Sequence, residues 1–294
     1  MDGESSPGLP GTGVFDLHEP AARSLPLVLA SPHSGSDYPV DLLAASRLDP
    51  LALRRSEDSF VDELFAAAPS LGAPLLSARF PRAYLDVNRE AYELDPAMFS
   101  DALPDFVNAG SPRVRMGLGT IARIVASGEE IYAKKLRFAE ATRRIECLYH
   151  PYHQALGRLV EETEEVFGGY LLVDCHSMPS AAGSACRRDG ADIVLGNCHG
   201  ASCASQIVEA ATSFLVERGF VVAINAPYAG GFTTGFYGRP SAHRHALQIE
   251  INRALYMDER SYRRKSRFAR LVKDMSDLVE RLGQIAQDCL PKEA

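Results

Sequence analysis

Two histidines stand where apolar runs stop. "LPLVLASPHSG" (residues 25–35) ends its run in a small-residue turn at His33, and "GYLLVDCHSMPS" (169–180) does the same at His176. A buried strand that empties into a turn carries its last side chains to the carboxyl edge of an α/β sheet, where such sheets bind ligands. Imidazoles paired there suit a catalytic metal, which takes three protein ligands from His, Asp and Glu and keeps one position for water. The third donor should be a carboxylate. "RRSEDSFVDEL" offers Glu57 and Asp58 at a helix start, where either could equally serve the helix dipole. A fourth group stands in "HALQIEIN": Gln248, Glu250 and Asn252 share one face of a strand, while Leu247, Ile249 and Ile251 share the other. Sheets of α/β proteins normally bury both faces, so a polar face points to a site. Desolvation among apolar neighbours would raise the pKa of Glu250 toward the range a general base needs.

Cys175, next to His176, invites a Cys–His reading. Adjacent strand residues point to opposite faces, which sends this thiol to the core. The six cysteines form no C-x-x-C pair and fall far short of a disulfide scaffold, so reduced thiols are expected.

These groups need an alternating α/β framework to position them. Continuous apolar runs predict strands at 25–31, 169–175, 192–195, 220–224 and 245–252, with short ones at 74–77 and 83–87. Helical spacing predicts helices over 58–68 with Ser56 as cap, over most of 129–167 with a break at Pro151, over 202–218 closed by Gly219, and over 260–289. Residues 95–119 and the glycine-rich 225–240 read as loops. The expected fold class is α/β: one domain from residue 14 to 294, with a mixed, mainly parallel sheet flanked by helices, behind a disordered tail of residues 1–13.

The chain has 294 residues, 46% of them hydrophobic, and a net charge of −7, so no basic footprint points to nucleic acid. Neither a signal peptide nor a membrane-length apolar run is present, which predicts a cytoplasmic protein with no membrane partner.

The blocks "PHSGSDYP", "EDSFVDEL", "RAYLDVNRE", "DCHSMPS", "NAPYAGGFTTGFYGRP" and "HALQIEINRALYMDE" occur in this order. Together, over about Pro26 to Glu259, they closely resemble the N-formylglutamate amidohydrolase family, which is similar to zinc carboxypeptidases and aspartoacylase-type deacylases with a phosphorylase/hydrolase-like fold. The resemblance implies one Zn2+ per chain, or another divalent metal, held by His33, Asp58 and His176. Glu57 remains an alternative to Asp58. It further implies Glu250 as general base and Asn88 with Arg89 as the grip on a substrate carboxylate, a task suited to a planar guanidinium fork. Their plainer reading is an ion pair with Asp86 or Glu90. Arg239 could take a second carboxylate, His245 matches a histidine usual at its family position, and Thr234 or its neighbour Thr233 could present a hydroxyl from the glycine-rich loop.

The implied reaction is hydrolysis of a small-molecule N-acyl amino acid, N-formyl-L-glutamate first, to formate and L-glutamate, as in one route of histidine catabolism. Another zinc amidase (an N-acyl amino acid deacylase, a carboxypeptidase or a peptidoglycan amidase) and a non-catalytic binding protein are the alternatives. The chain departs from the family pattern at "ACRRDGADIV" and "GNCHGASC", a stretch expected to shape the acyl or side-chain pocket.

Overall fold

The computed structural model describes residues 13–182 and 190–290. The expected tail up to residue 12 and residues 183–189 of the divergent 181–203 region, Cys186 among them, lie outside the described residues. Seven strands form one sheet in the order β1-β3-β2-β4-β7-β5-β6. They are β1 (Phe15–His18), β2 (Leu27–Ser31), β3 (Leu75–Ala78), β4 (Tyr170–Met178), β5 (Ile193–Gly196), β6 (Val222–Ile224) and β7 (Arg244–Asn252). β3, β2, β4 and β7 run parallel, β5 is antiparallel to β7, and β6 is parallel to β5. This is the mixed, mainly parallel sheet that the apolar runs predict.

The chain divides into two compact units, each made of non-contiguous segments: residues up to Asp16 with Gly35–Glu57 and Ala78–Ala155, and Leu17–Ser34 with Asp58–Ser77 and Leu156 onward. The second unit carries the sheet's core. Leu27, Leu29, Leu171, Val173, Cys175, Leu247, Ile249 and Ile251, alternate residues of β2, β4 and β7, are buried together. They pack with Ile207, Ala211 and Leu215 of the helix Ser205–Glu217 and with Leu271, Met275, Leu278 and Leu282 of the helix Phe268–Cys289. The first of these helices ends as its sequence predicts. Gly219 adopts φ +87°, a conformation that costs glycine little, and Phe220 N–H closes back on Leu215 O at 3.1 Å.

The first unit departs from expectation. No strand forms at 83–87. The carbonyls of Tyr84, Val87 and Arg89 accept hydrogen bonds from side chains of the 138–167 helical stretch: Arg144 at 3.2 Å, His153 at 2.8 Å and Tyr149 at 2.7 Å. That stretch starts at Phe138 rather than near 129, and a π-turn at Ile145–Tyr149 directly precedes Pro151, so the proline is carried inside the helix. Arg144 is buried, its guanidinium 4.0 Å above the Tyr84 ring and its Nη1 donating to Tyr132 Oη at 2.7 Å. In the second unit, the helix expected over 58–68 is reduced to Val61–Leu64. Ser56 does not cap it; its Oγ accepts from Ala126 N–H at 3.2 Å.

Gly35 closes the turn after His33 because no other residue fits. A Cβ there would meet Phe80 O at 2.3 Å and the Arg79 carbonyl carbon and oxygen at 2.5 and 2.6 Å, all backbone atoms. Gly35→Ala is therefore expected to lose about 2 kcal/mol or more of stability, the cost of overpacking against atoms that cannot turn aside. Urea denaturation measures it; an unchanged midpoint contradicts the steric account.

Candidate metal centre

The register of the parallel strands assembles the site on one face. β4 and β7 pair with Asp174 opposite Gln248 and His176 opposite Glu250, while Val194 of β5 stands opposite Glu250 on its other side. These even-numbered positions face away from the core that Cys175, Ile249 and Ile251 fill. Cys175 behaves as the alternation predicts: buried in that core, its thiol is pushed well above its usual pKa by desolvation, with Asp174 adding to the rise. A thiolate nucleophile is not available there.

His33 follows β2 by two residues, and its carbonyl accepts Asp58 N–H at 2.9 Å, which brings the Asp58 carboxylate to the imidazoles. Asp58 Oδ2 stands 3.1 Å from His176 Nδ1 and 3.4 Å from His33 Nδ1. Its other oxygen, Oδ1, accepts from Arg253 Nη2 at 2.9 Å and from Ser177 Oγ at 3.2 Å. His176 Nε2 lies 2.9 Å from Asp174 Oδ1. His33, Asp58 and His176 are 1%, 2% and 3% exposed. Glu250 is 8% exposed, and Gln248 Nε2 donates to its Oε1 at 3.0 Å.

Burial alone would raise the Asp58 pKa, but hydrogen bonds from His176 and His33 and the Arg253 charge hold it well below the usual carboxylate range. Burial pulls the His176 pKa down, yet Asp174 foremost, then Asp58 and Glu250, hold it well above that of an ordinary imidazole.

The donor set fits a divalent cation. His33, Asp58 and His176 each turn one ligand atom into a group whose members lie within 4.8 Å of one another. Ligands about 2.1 Å from a tetrahedral ion stand about 3.4 Å apart, which is the scale of the two Asp58–imidazole separations. Asp174 holds the remote nitrogen of His176, as carboxylates do behind metal-binding histidines. Glu57 serves elsewhere: Arg54 grips it at 2.8 and 3.1 Å and Tyr38 Oη donates to it at 3.0 Å.

The remaining expected site residues are placed as follows. Asn88 and Arg89 belong to the other compact unit. Arg89 is buried; Nε donates to Leu118 O at 2.8 Å, Nη1 to Asn88 O at 2.6 Å, and Nη2 lies 3.4 Å from Asp86. Burial lowers its pKa to about 10 against the pull of Asp86, and the nearby charges of Arg82 and Arg113 lower it further. So the ion pair with Asp86 exists, and the Glu93 charge adds to its pull. Thr234 is buried, its hydroxyl accepting Gly231 N–H at 2.8 Å and donating to Gly231 O at 3.1 Å.

Arg239 and His245 stand apart from this group. The structure does not bring them to the edge that carries His176 and Glu250. Arg239 is exposed and bridges Arg244 at the amino end of β7. His245 pairs with Leu171, five residues and roughly 16 Å before Glu250, and faces the opposite side. There it accepts Ala204 N–H at 3.4 Å, and burial lowers its pKa. "GNCHG" also ends away from that edge, since β5 runs antiparallel to β7; Cys198, His199 and Gly200 all take positive φ. Three contributors escape the sequence reading, Asp174, Ser177 and Arg253, while Gln248 is read there only as part of the polar face. Period-2 counting from His176 and Glu250 finds Asp174 and Gln248, but nothing local marks Ser177 or Arg253.

Fold and site together define an α/β protein whose mainly parallel sheet carries a buried His/Asp/His group beside a glutamate at its carboxyl edge. The family model described as N-formylglutamate amidohydrolase matches residues 25–257, and the chain belongs to that family. It is 31% identical over 255 residues to an N-formylglutamate deformylase of Pseudomonas putida, covering 84% of this chain and 86% of that one. A Pseudomonas aeruginosa protein of the same name is 27% identical over 242 residues, covering 81% and 84%. The crystal structure of an N-formylglutamate amidohydrolase from Ralstonia eutropha JMP134 superposes with a TM-score of 0.86 at 39% identity, covering 94% of this chain and 99% of that one.

The geometry separates the two acidic neighbours of the "SED" block. Asp58→Asn is expected to abolish stoichiometric metal binding and Glu57→Gln to preserve it, read by metal analysis of the two purified variants. The reverse pattern assigns the third donor to Glu57.

Proposed function

We propose that the chain hydrolyses the amide of an N-acylated acidic amino acid, with N-formyl-L-glutamate as first substrate and formate and L-glutamate as products. The observation that carries this reading is the His33/Asp58/His176 group with Glu250 paired beside His176 on the same sheet face. That the two Pseudomonas relatives are N-formylglutamate deformylases supports the choice of substrate.

His33, Asp58 and His176 would hold the cation, with zinc the first choice because two imidazoles and a carboxylate are a usual catalytic zinc set. When bound, such an ion lowers the pKa of water toward about 7 and polarises an acyl oxygen. Glu250 takes the proton of the attacking water and passes it to the departing amine nitrogen, the paired duty of a general base and acid. Gln248 holds one Glu250 oxygen and so orients the carboxylate for that transfer. Asp174 keeps His176 turned with Nδ1 toward Asp58. The family resemblance assigns Asn88 and Arg89 to a substrate carboxylate, a task that suits a planar guanidinium fork.

Formate release from N-formyl-L-glutamate, with N-acetyl- and N-succinyl-glutamate as comparisons and a chelated control, tests the reading. Chelator-sensitive release restored by Zn2+ is expected, with the formyl substrate preferred. Glu250→Gln should lower the rate roughly 10²–10⁴-fold and retain the metal. Formate release indifferent to both chelator and Glu250→Gln overturns the mechanism.

A further inference from the structure

We infer that Arg253 is a positioning residue which presents Asp58 to the cation through one oxygen only. The inference rests on the metal-centre reading and deepens it. Arg253 follows β7 directly, at the start of a turn whose Asn252 side chain accepts Ala254 N–H at 3.0 Å. It is 6% exposed, so its charge cannot be left to solvent. Its Nη2 donates to Asp58 Oδ1 at 2.9 Å and its Nε to Ser177 Oγ at 3.1 Å, while Ser177 Oγ itself donates to the same Asp58 oxygen at 3.2 Å. The three groups close a triangle.

That triangle divides the work of the Asp58 carboxylate. Oδ1 is taken by two donors, one of them charged, and Oδ2 is turned toward both imidazoles. A carboxylate so held offers a single ligand oxygen, which suits four-coordination rather than the expanded shells that bidentate carboxylates build. Two physical effects of the guanidinium oppose each other. Its positive charge disfavours a cation nearby, whereas its fork fixes the donor before the cation arrives. Loss of partners behind a metal ligand typically weakens binding 10–100-fold, which is the sign expected if orientation wins. If charge wins, removing Arg253 tightens binding. Lysine at this position would keep the charge but lose the two-nitrogen fork that spans Asp58 and Ser177.

The test is Zn2+ affinity by chelator competition on wild-type protein, Arg253→Met, Arg253→Lys and Ser177→Ala, each checked for folding by circular dichroism. The visible absorption of the Co2+-loaded forms is recorded as a readout of coordination number. Expected is a 10–100-fold weakening in Arg253→Met, incomplete rescue by Arg253→Lys, a smaller loss in Ser177→Ala, and fainter Co2+ bands as the coordination shell expands. Should Arg253→Met not fold, Ser177→Ala decides by the same sign. Unchanged or tighter Zn2+ binding in the folded variants, with a wild-type protein that binds one Zn2+, overturns the positioning role alone. A wild-type protein that binds no Zn2+ overturns the metal-centre reading and the role together.

Discussion

A carboxylate withdrawn almost entirely from water sets the terms for everything around it. Asp58 is 2% exposed, and an ion so buried is tolerated only when its oxygens are matched by donors or cations. Two imidazoles take one oxygen and a guanidinium with a serine take the other. Those partners come from three places in the chain: the turn after β2, the end of β4 with His176 and Ser177, and the residue following β7. Only a sheet in which β2, β4 and β7 run the same way brings their carboxyl ends to one edge. The mainly parallel topology is thus a condition of the site.

The same sheet keeps chemistry and packing apart by alternation. Along β4, Leu171, Val173 and Cys175 enter the core, while Asp174 and His176 face the other way; along β7, Leu247, Ile249 and Ile251 are matched by Gln248 and Glu250. A slip of one residue in either strand would put carboxylates among leucines and leave His176 without Asp58. Register is therefore enforced from both faces. The apolar face drives association through buried area, and the polar face penalises every alternative pairing through unmatched charge.

How much of this is legible in the sequence depends on whether the cause is local. His33, His176 and Glu250 can be read because strand ends and period-2 faces are local patterns. Asp58 cannot be separated from Glu57 by sequence, since the two are neighbours; the difference lies in Arg54 and Tyr38, which occupy Glu57. Residues 83–87 resemble a strand because they form a short, nearly continuous apolar run, but their carbonyls find side-chain partners some sixty residues away. The direction of β5 leaves no mark in its four residues. Arg239 and His245 look close to Glu250 in the chain, and a nine-residue strand then carries them to the far end of the sheet. Arg253 is invisible for the opposite reason, as its partner Asp58 lies 195 positions earlier.

A divalent cation held by His33, Asp58 and His176 beside Glu250, as proposed, can be located directly. The most direct measurement is an anomalous-difference map from crystals of the metal-loaded protein, collected on both sides of the zinc absorption edge. One peak per chain, within about 2.0–2.3 Å of an imidazole nitrogen of His33, an imidazole nitrogen of His176 and an oxygen of Asp58, is the predicted result. Full loading with a peak elsewhere, or no peak at this group at saturating Zn2+, contradicts the account.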